Sequence, residues 1–150
     1  ISLSGDGGFT MMMGEMLTLK QLNLPVKIFV FNNEELSFIA MEMKASGYLD
    51  YATDFVNPDF GKLAEAAGIK GVSITNSSEV DEKIMEALNH NGPVIVNVRV
   101  DKQELAMPPK IAYQQAKGFS KYLINAILDG RGTELKEMAK TNWMKYKSLY

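Results

Sequence analysis

Ser2-Leu3-Ser4-Gly5-Asp6-Gly7-Gly8-Phe9 and, ending 27 residues after its aspartate (33 − 6 = 27), Phe31-Asn32-Asn33 decide how this chain is read. Ser2 to Ser4 has the character of a strand end, the glycines of a tight turn, and Phe9 to Leu22 of a helix. Val26 to Phe31 is a nearly continuous apolar run, the pattern of a strand buried on both faces. It delivers Asn32 and Asn33 at its carboxyl end. In an open parallel sheet both turns fall on the edge where strands end and ligands bind. A carboxylate and a carboxamide meeting there are hard oxygen donors, suited to Mg²⁺ or Ca²⁺. Glycines ahead of a helix leave backbone N–H groups bare for an anion. A divalent metal beside a diphosphate satisfies both.

Outward from that pair, strands and helices alternate. Glu34 to Ala45 reads as a helix or loop-helix, and Gly47 to Val56, with Tyr48, Tyr51 and Phe55, as a lid or subunit contact. Asn57-Pro58-Asp59 reads as a helix start with Asn57 as cap and Pro58 in the first position. Phe60, Leu63, Ala64 and Ala67 form that helix's inner face. Gly71 to Thr75 reads as a short strand. Ser78 and Asp81 have the spacing of a capping box, and His90 ends the helix that follows as an exposed cation. Val94 to Val100 alternates as a strand with one polar-tolerant face at Asn97 and Arg99. This alternation predicts an α/β fold, an open parallel sheet with helices on both faces. Asp101 to Lys110 reads as a connector. The boundary drawn here separates a cofactor-binding domain, 1–110, from a helical tail, 111–150.

The single His90 and the absence of cysteine exclude a histidine cluster, thiol catalysis and Cys-ligated zinc. Sixteen basic against eighteen acidic residues give a net charge of −2, which offers nucleic acid no general attraction. No apolar run approaches the ~18 residues of a membrane span, and no signal peptide opens the chain; a cytoplasmic protein is expected. Ile1 opens inside a strand, so a fragment of a longer protein is expected. Met11-Met12-Met13 admits two readings, core filling or contact with a cofactor ring. Asn32 and Asn33, taken alone, also fit a plain turn. The last helix, from Thr133, carries Leu135, Met138, Asn142, Tyr146 and Leu149 on one side. Glu134 to Tyr150 holds four lysines against two glutamates (4 − 2 = +2), with Trp143 and two tyrosines. That composition fits either a helix docked on its own protein or one lying in a membrane interface.

Gly-Asp-Gly at 5–7 with Asn-Asn closing at 33 resembles the thiamine-diphosphate motif of pyruvate oxidase, acetolactate synthase and pyruvate decarboxylase. Further blocks, FIAMEMKASGY (38–48), ELAMPPKI (104–111), AKGFSKYL (116–123), GRG (130–132) and AKTNW (139–143), resemble the C-terminal part of quinone-linked pyruvate oxidase. The resemblance covers nearly all of the chain. It implies thiamine diphosphate and Mg²⁺ held here, with side-chain oxygens from Asp6 and Asn33 and the backbone carbonyl of Glu35 on the metal. Gly5, Asp6, Gly7, Gly8, Asn33 and Phe38 would meet the cofactor; Phe38 equally fits a core position. Asn32 falls at a variable position and is not assigned as a ligand. The resemblance further implies oxidative decarboxylation of pyruvate to acetate and CO₂, with electrons passed through FAD to membrane quinone. FAD and the activating glutamate would be supplied by residues outside these 150, so no catalytic acid or base is assigned here and the isolated chain is expected to be inactive. A homotetramer, peripheral on the inner face of the cell membrane through lipid binding by the tail, completes the expectation. Acetolactate synthase and a noncatalytic lipid- or partner-binding module are the alternatives.

Overall fold

The computed structural model describes residues 1–102 and 112–148, with side chains as far as Trp143. The connector from 103 onward and the side chains of Tyr146 and Leu149 therefore lie outside the described residues. Two compact units emerge, 1–35 with 55–100 and 36–54 with 101–150.

The first unit is built on four parallel strands, β1 (Ser2–Gly5), β2 (Lys27–Asn32), β3 (Lys70–Ile74) and β4 (Val94–Arg99), in the order β1-β2-β4-β3. Side chains alternate across the sheet. Val30 and Ile95 point to one face, where they pack with Phe9, Met16, Phe60, Ala64 and Ile69. Phe29, Val72, Ile74, Val94 and Val96 point to the other and pack with Ala87. Helices α1 (Asp6–Met11), α2 (Met16–Gln21) and α4 (Phe60–Ala66) thus cover one face and α5 (Val80–Asn89) the other. The expected α/β sheet with helices on both faces is present. Phe9 meets Phe60 edge to face at 5.1 Å between ring centres, locking α1 against α4.

Several local expectations change. The helix read as Phe9 to Leu22 begins at Asp6 and is interrupted: Met12 leaves helical geometry (φ −125°, ψ 20°) and Met13–Glu15 forms a single tighter turn before α2. Gly7, Gly8 and Gly14 each weaken helix formation there. Met16 reaches the core, whereas Met11, Met12 and Leu17 are exposed. The cap of α4 is Asp59, not Asn57: Asp59 Oδ1 accepts from the backbone N–H of Gly61 (2.9 Å) and Lys62 (3.2 Å). Ser73 Oγ donates to the same carboxylate at 2.6 Å, so the cap is anchored to β3. No side chain caps α5, which follows a tight turn at Ser77–Glu79; the expected capping box at Ser78 does not form. His90 is exposed as expected, and its carbonyl accepts from the buried Lys27 Nζ (2.8 Å), which also donates to Gly92 O. Between α4 and β3 the approach is close enough that a Cβ on Gly71 would lie 2.0 Å from the Gly61 carbonyl oxygen.

The second unit is helical: α3 (Ser37–Ala45), α6 (Tyr113–Leu128) and α7 (Gly132–Ser148). Tyr122, Ala126 and Met138 form its core, with Leu49, Phe119, Leu123 and Leu135 packed around them. A Cβ on Gly118 would lie 1.9 Å from the Ala45 carbonyl oxygen, so α6 crosses the end of α3 at backbone contact. Lys44, buried on α3, reaches Glu134 of α7 at 3.4 Å and lies over the Tyr122 ring. Arg131 bridges Asp50 (3.0 Å) and Asp129 (3.0 Å). Tyr122 is wholly buried. No helix among the described residues is long and apolar enough to cross a membrane.

Candidate functional site at the carboxyl end of the sheet

Parallel pairing of β1 with β2 and of β2 with β4 brings three strand ends to one edge. Asp6 stands immediately after β1, Asn32 ends β2, and Asn33, Glu34 and Glu35 follow it. Asp6 is 3% exposed. Its Oδ1 accepts from its neighbour Gly7 N at 2.8 Å, and its Oδ2 accepts from Glu34 N and from Asn57 Nδ2, each at 2.8 Å. A buried carboxylate is costly unless paired, and here the partners are neutral amide donors. To present its N–H, Glu34 adopts φ +60°, a left-handed geometry costing a non-glycine residue ~1–2 kcal/mol. Strain of that kind collects where structure is fixed for a function.

Asn33 Oδ1 accepts from Glu35 N at 3.2 Å, an Asx-type turn that folds 33–35 back over the strand end. Glu35 itself is buried. Glu34 Oε2 meets Arg99 Nη2 at 2.7 Å. That hydrogen bond raises the Arg99 guanidinium further above its usual value, with smaller contributions from the Glu34 and Asp6 charges. Gly5 ends β1 and Gly7 and Gly8 open α1, and none needs a positive φ. A Cβ on Gly5 would meet nothing within 4 Å, and one on Gly8 only Ser4 Oγ at 3.5 Å. Gly5 and Gly8 therefore contribute exposed surface without side chains rather than an unusual backbone, while Gly7 is buried. Phe38 belongs to α3 of the helical unit and is 73% exposed.

The sequence reading missed one participant. Asn57, read as a helix cap, places its carboxamide inside the cluster: Nδ2 donates to Asp6 Oδ2 and to Asn32 Oδ1 (3.1 Å). Asn32, 1% exposed, passes its own Nδ2 to Asn97 Oδ1 at 3.0 Å, and Asn97 is 4% exposed. The face of β4 expected to tolerate polarity at Asn97 is thus a buried one, satisfied by a strand neighbour. The signal that would have revealed Asn57 is Pro58: overlapping cap patterns at Asn57 and Asp59 leave one polar side chain unused, and the chain had to spend it elsewhere.

The donor chemistry is uniformly hard oxygen and amide. Among the described residues no group of three or more His, Cys, Asp or Glu could hold a metal alone. A single carboxylate with carboxamide and backbone oxygens suits Mg²⁺, which keeps ligands from water and substrate phosphates rather than from an all-protein cage. The residues present therefore fit a magnesium–diphosphate pair.

Sequence comparison agrees with this chemistry. Residues 1–98 match the family described as thiamine pyrophosphate enzyme, C-terminal TPP binding domain. The chain is 37% identical over 141 residues, 94% of its length, to the putative thiamine pyrophosphate-containing protein YdaP of Bacillus subtilis. It is 38% identical over 109 residues, 72% of its length, to the mitochondrial acetolactate synthase catalytic subunit of Saccharomyces cerevisiae. It is 34% identical over 110 residues to the acetolactate synthase isozyme 2 large subunit of Escherichia coli. The chain spans 24%, 16% and 20% of those three proteins. By the match over residues 1–98, this chain belongs to the thiamine pyrophosphate enzymes, as their C-terminal cofactor-binding domain.

Proposed function

We propose that these residues anchor Mg²⁺ and the diphosphate of thiamine diphosphate in an enzyme acting on pyruvate. The carrying observation is the buried Asp6 carboxylate, set at the strand end and held by three neutral donors. Each carboxylate oxygen has two acceptor positions. Oδ2 uses both, on Glu34 N and Asn57 Nδ2, while Oδ1 uses one, on Gly7 N. Oδ1 is then the oxygen that faces the metal, with Asn33 Oδ1 and the Glu35 carbonyl as companions. The side-chain-free turn at Gly5, Gly7 and Gly8 receives the diphosphate. When bound, thiamine diphosphate supplies the electron sink for decarboxylation; the residues here bind and orient it.

For the overall reaction, the named relatives support acetolactate formation, two pyruvates giving one acetolactate and one CO₂, over the pyruvate oxidation expected from the C-terminal blocks. The oxidase reading, with FAD, quinone, a tetramer and lipid binding through the tail, is retained for one reason. Matches to the acetolactate synthases leave more than a quarter of the chain uncovered, whereas the 94% match includes most of the tail. The two readings separate by product. The whole protein, given pyruvate, thiamine diphosphate and Mg²⁺, should accumulate acetolactate. Acetate formed only with FAD and an added quinone would overturn acetolactate formation in favour of the oxidase.

A further inference from the structure

We infer that Asn57 is a positioning residue for the metal-binding carboxylate, the outer end of an amide relay that runs from β4 through β2 to Asp6. The inference rests on the reading of Asp6 as a metal ligand and adds a residue that the motif at 5–7 and 33 does not contain.

The orientation of each amide follows from its neighbours. An ionised Asp6 only accepts, so Asn57 must turn Nδ2 toward Oδ2. The second hydrogen of Nδ2 goes to Asn32 Oδ1. That leaves Asn32 Nδ2 for Asn97 Oδ1 at 3.0 Å, with the Pro58 carbonyl at 3.5 Å. Reversing any one amide would set two donors or two acceptors face to face. Asn32 and Asn97 are buried on paired strands, two residues apart in the β2–β4 register and so on the same face. They form a fixed base from which Asn57 holds Oδ2. The pyrrolidine of Pro58 keeps Asn57 out of helical geometry, and the Asp59 cap fixes the chain just beyond it.

The consequence is a division of labour within one carboxylate. Asn57 and Glu34 N occupy Oδ2, which fixes the plane of the carboxylate and leaves Oδ1 directed for the cation. Because Asn57 presents nitrogen, it is not itself a ligand. Outer partners of this kind set metal affinity by orienting the ligand, and their loss typically costs 10- to 100-fold.

The test is a Mn²⁺ titration of the whole protein in the presence of thiamine diphosphate, free Mn²⁺ being counted by electron paramagnetic resonance. Asp6→Ala, Asn57→Ala and Asn57→Ser are compared with wild type, and the thermal midpoint of each metal-free protein is recorded. The Ser hydroxyl is too short to reach Asp6, so both Asn57 variants should raise the Mn²⁺ Kd about 10- to 100-fold. If Asn57→Ala does not fold, Asn57→Ser carries the test. A lowered thermal midpoint with an unchanged Mn²⁺ Kd means a merely structural role and overturns the inference. Loss of Mn²⁺ binding in Asp6→Ala with wild-type binding in the Asn57 variants overturns the inference alone. Wild-type binding in Asp6→Ala overturns the metal site and the inference with it.

Discussion

The two units bury polar groups in opposite ways. In the helical unit charges meet counter-charges: the buried Lys44 meets Glu134, and the half-exposed Arg131 meets Asp50, Asp129 and, at 3.8 Å, Glu134. Those groups satisfy one another and leave little for a ligand. In the sheet unit the hydrogen-bond partners of the buried Asp6, among the described residues, are neutral backbone and carboxamide N–H groups. Neutral donors offset its desolvation without cancelling its charge. The contrast teaches that a carboxylate kept charged by amides is poised for a cation, whereas one kept by a lysine or arginine mainly joins helices.

The largest effects should come from the two glycines at backbone contact. Gly118→Ala drives a methyl into the Ala45 carbonyl, and Gly71→Ala drives one into the Gly61 carbonyl. Each should cost about 3 kcal/mol or more, the upper end of overpacking, because backbone must move. They should differ in function. Gly71→Ala displaces α4 and the segment leading into it, so it should weaken Mn²⁺ binding, while Gly118→Ala should leave it intact. Equal loss of Mn²⁺ binding in both, measured beside thermal unfolding, would erase the contrast between the units.

Next in size is Lys44→Ala. Removing a partner from a buried ion pair can cost ~3–5 kcal/mol. Glu134 retains the Tyr122 hydroxyl at 3.3 Å and a nearby Arg131, so a loss of about 1–3 kcal/mol is expected by chemical denaturation. A neutral result would show that the lysine's attraction and its desolvation cancel.

A smaller effect should appear with pH. Burial, followed by the negative charges of Glu134 and Asp50, raises the Tyr122 hydroxyl well above its ordinary value. The folded protein therefore keeps a proton that the unfolded chain releases near pH ~10. That contribution is fully present below the unfolded value and is lost as pH rises from there toward the folded one. Tyr122→Phe should flatten the decline in stability above pH ~10; an unchanged slope would assign the decline to other groups. Smallest of all, His90→Ala should alter neither stability nor metal binding measurably, since the exposed side chain leaves its structural task, accepting from Lys27, to its carbonyl.

Legibility from sequence followed the range of the interactions. The parallel sheet, its two apolar faces and the pairing of Asp6 with the Asn32-Asn33 turn were readable, because each depends on periodicity or a fixed spacing. The relay was not. Asn97 and Asn32 lie 65 residues apart, and nothing local distinguishes an asparagine with a buried partner from one facing water. Asn57 was obscured differently, by a genuine cap signal that belongs to Asp59 two residues on. The break between α1 and α2 was missed because apolar spacing continued through Gly14 although the helix did not. The grouping of the tail with 36–54 is not visible in the sequence, because its partner, Lys44 with the rest of α3, lies far upstream.

The central claim is that Asp6 holds a divalent metal which in turn holds the cofactor. Calorimetric titration of thiamine diphosphate into the whole protein, with fixed Mg²⁺ and again with chelator, tests it most directly when wild type is compared with Asp6→Ala. The account predicts metal-dependent binding in wild type and a loss of roughly ten- to a hundredfold in Asp6→Ala, from ~1.5–3 kcal/mol of charge-assisted contact. Unchanged affinity in Asp6→Ala at fixed Mg²⁺ would contradict it.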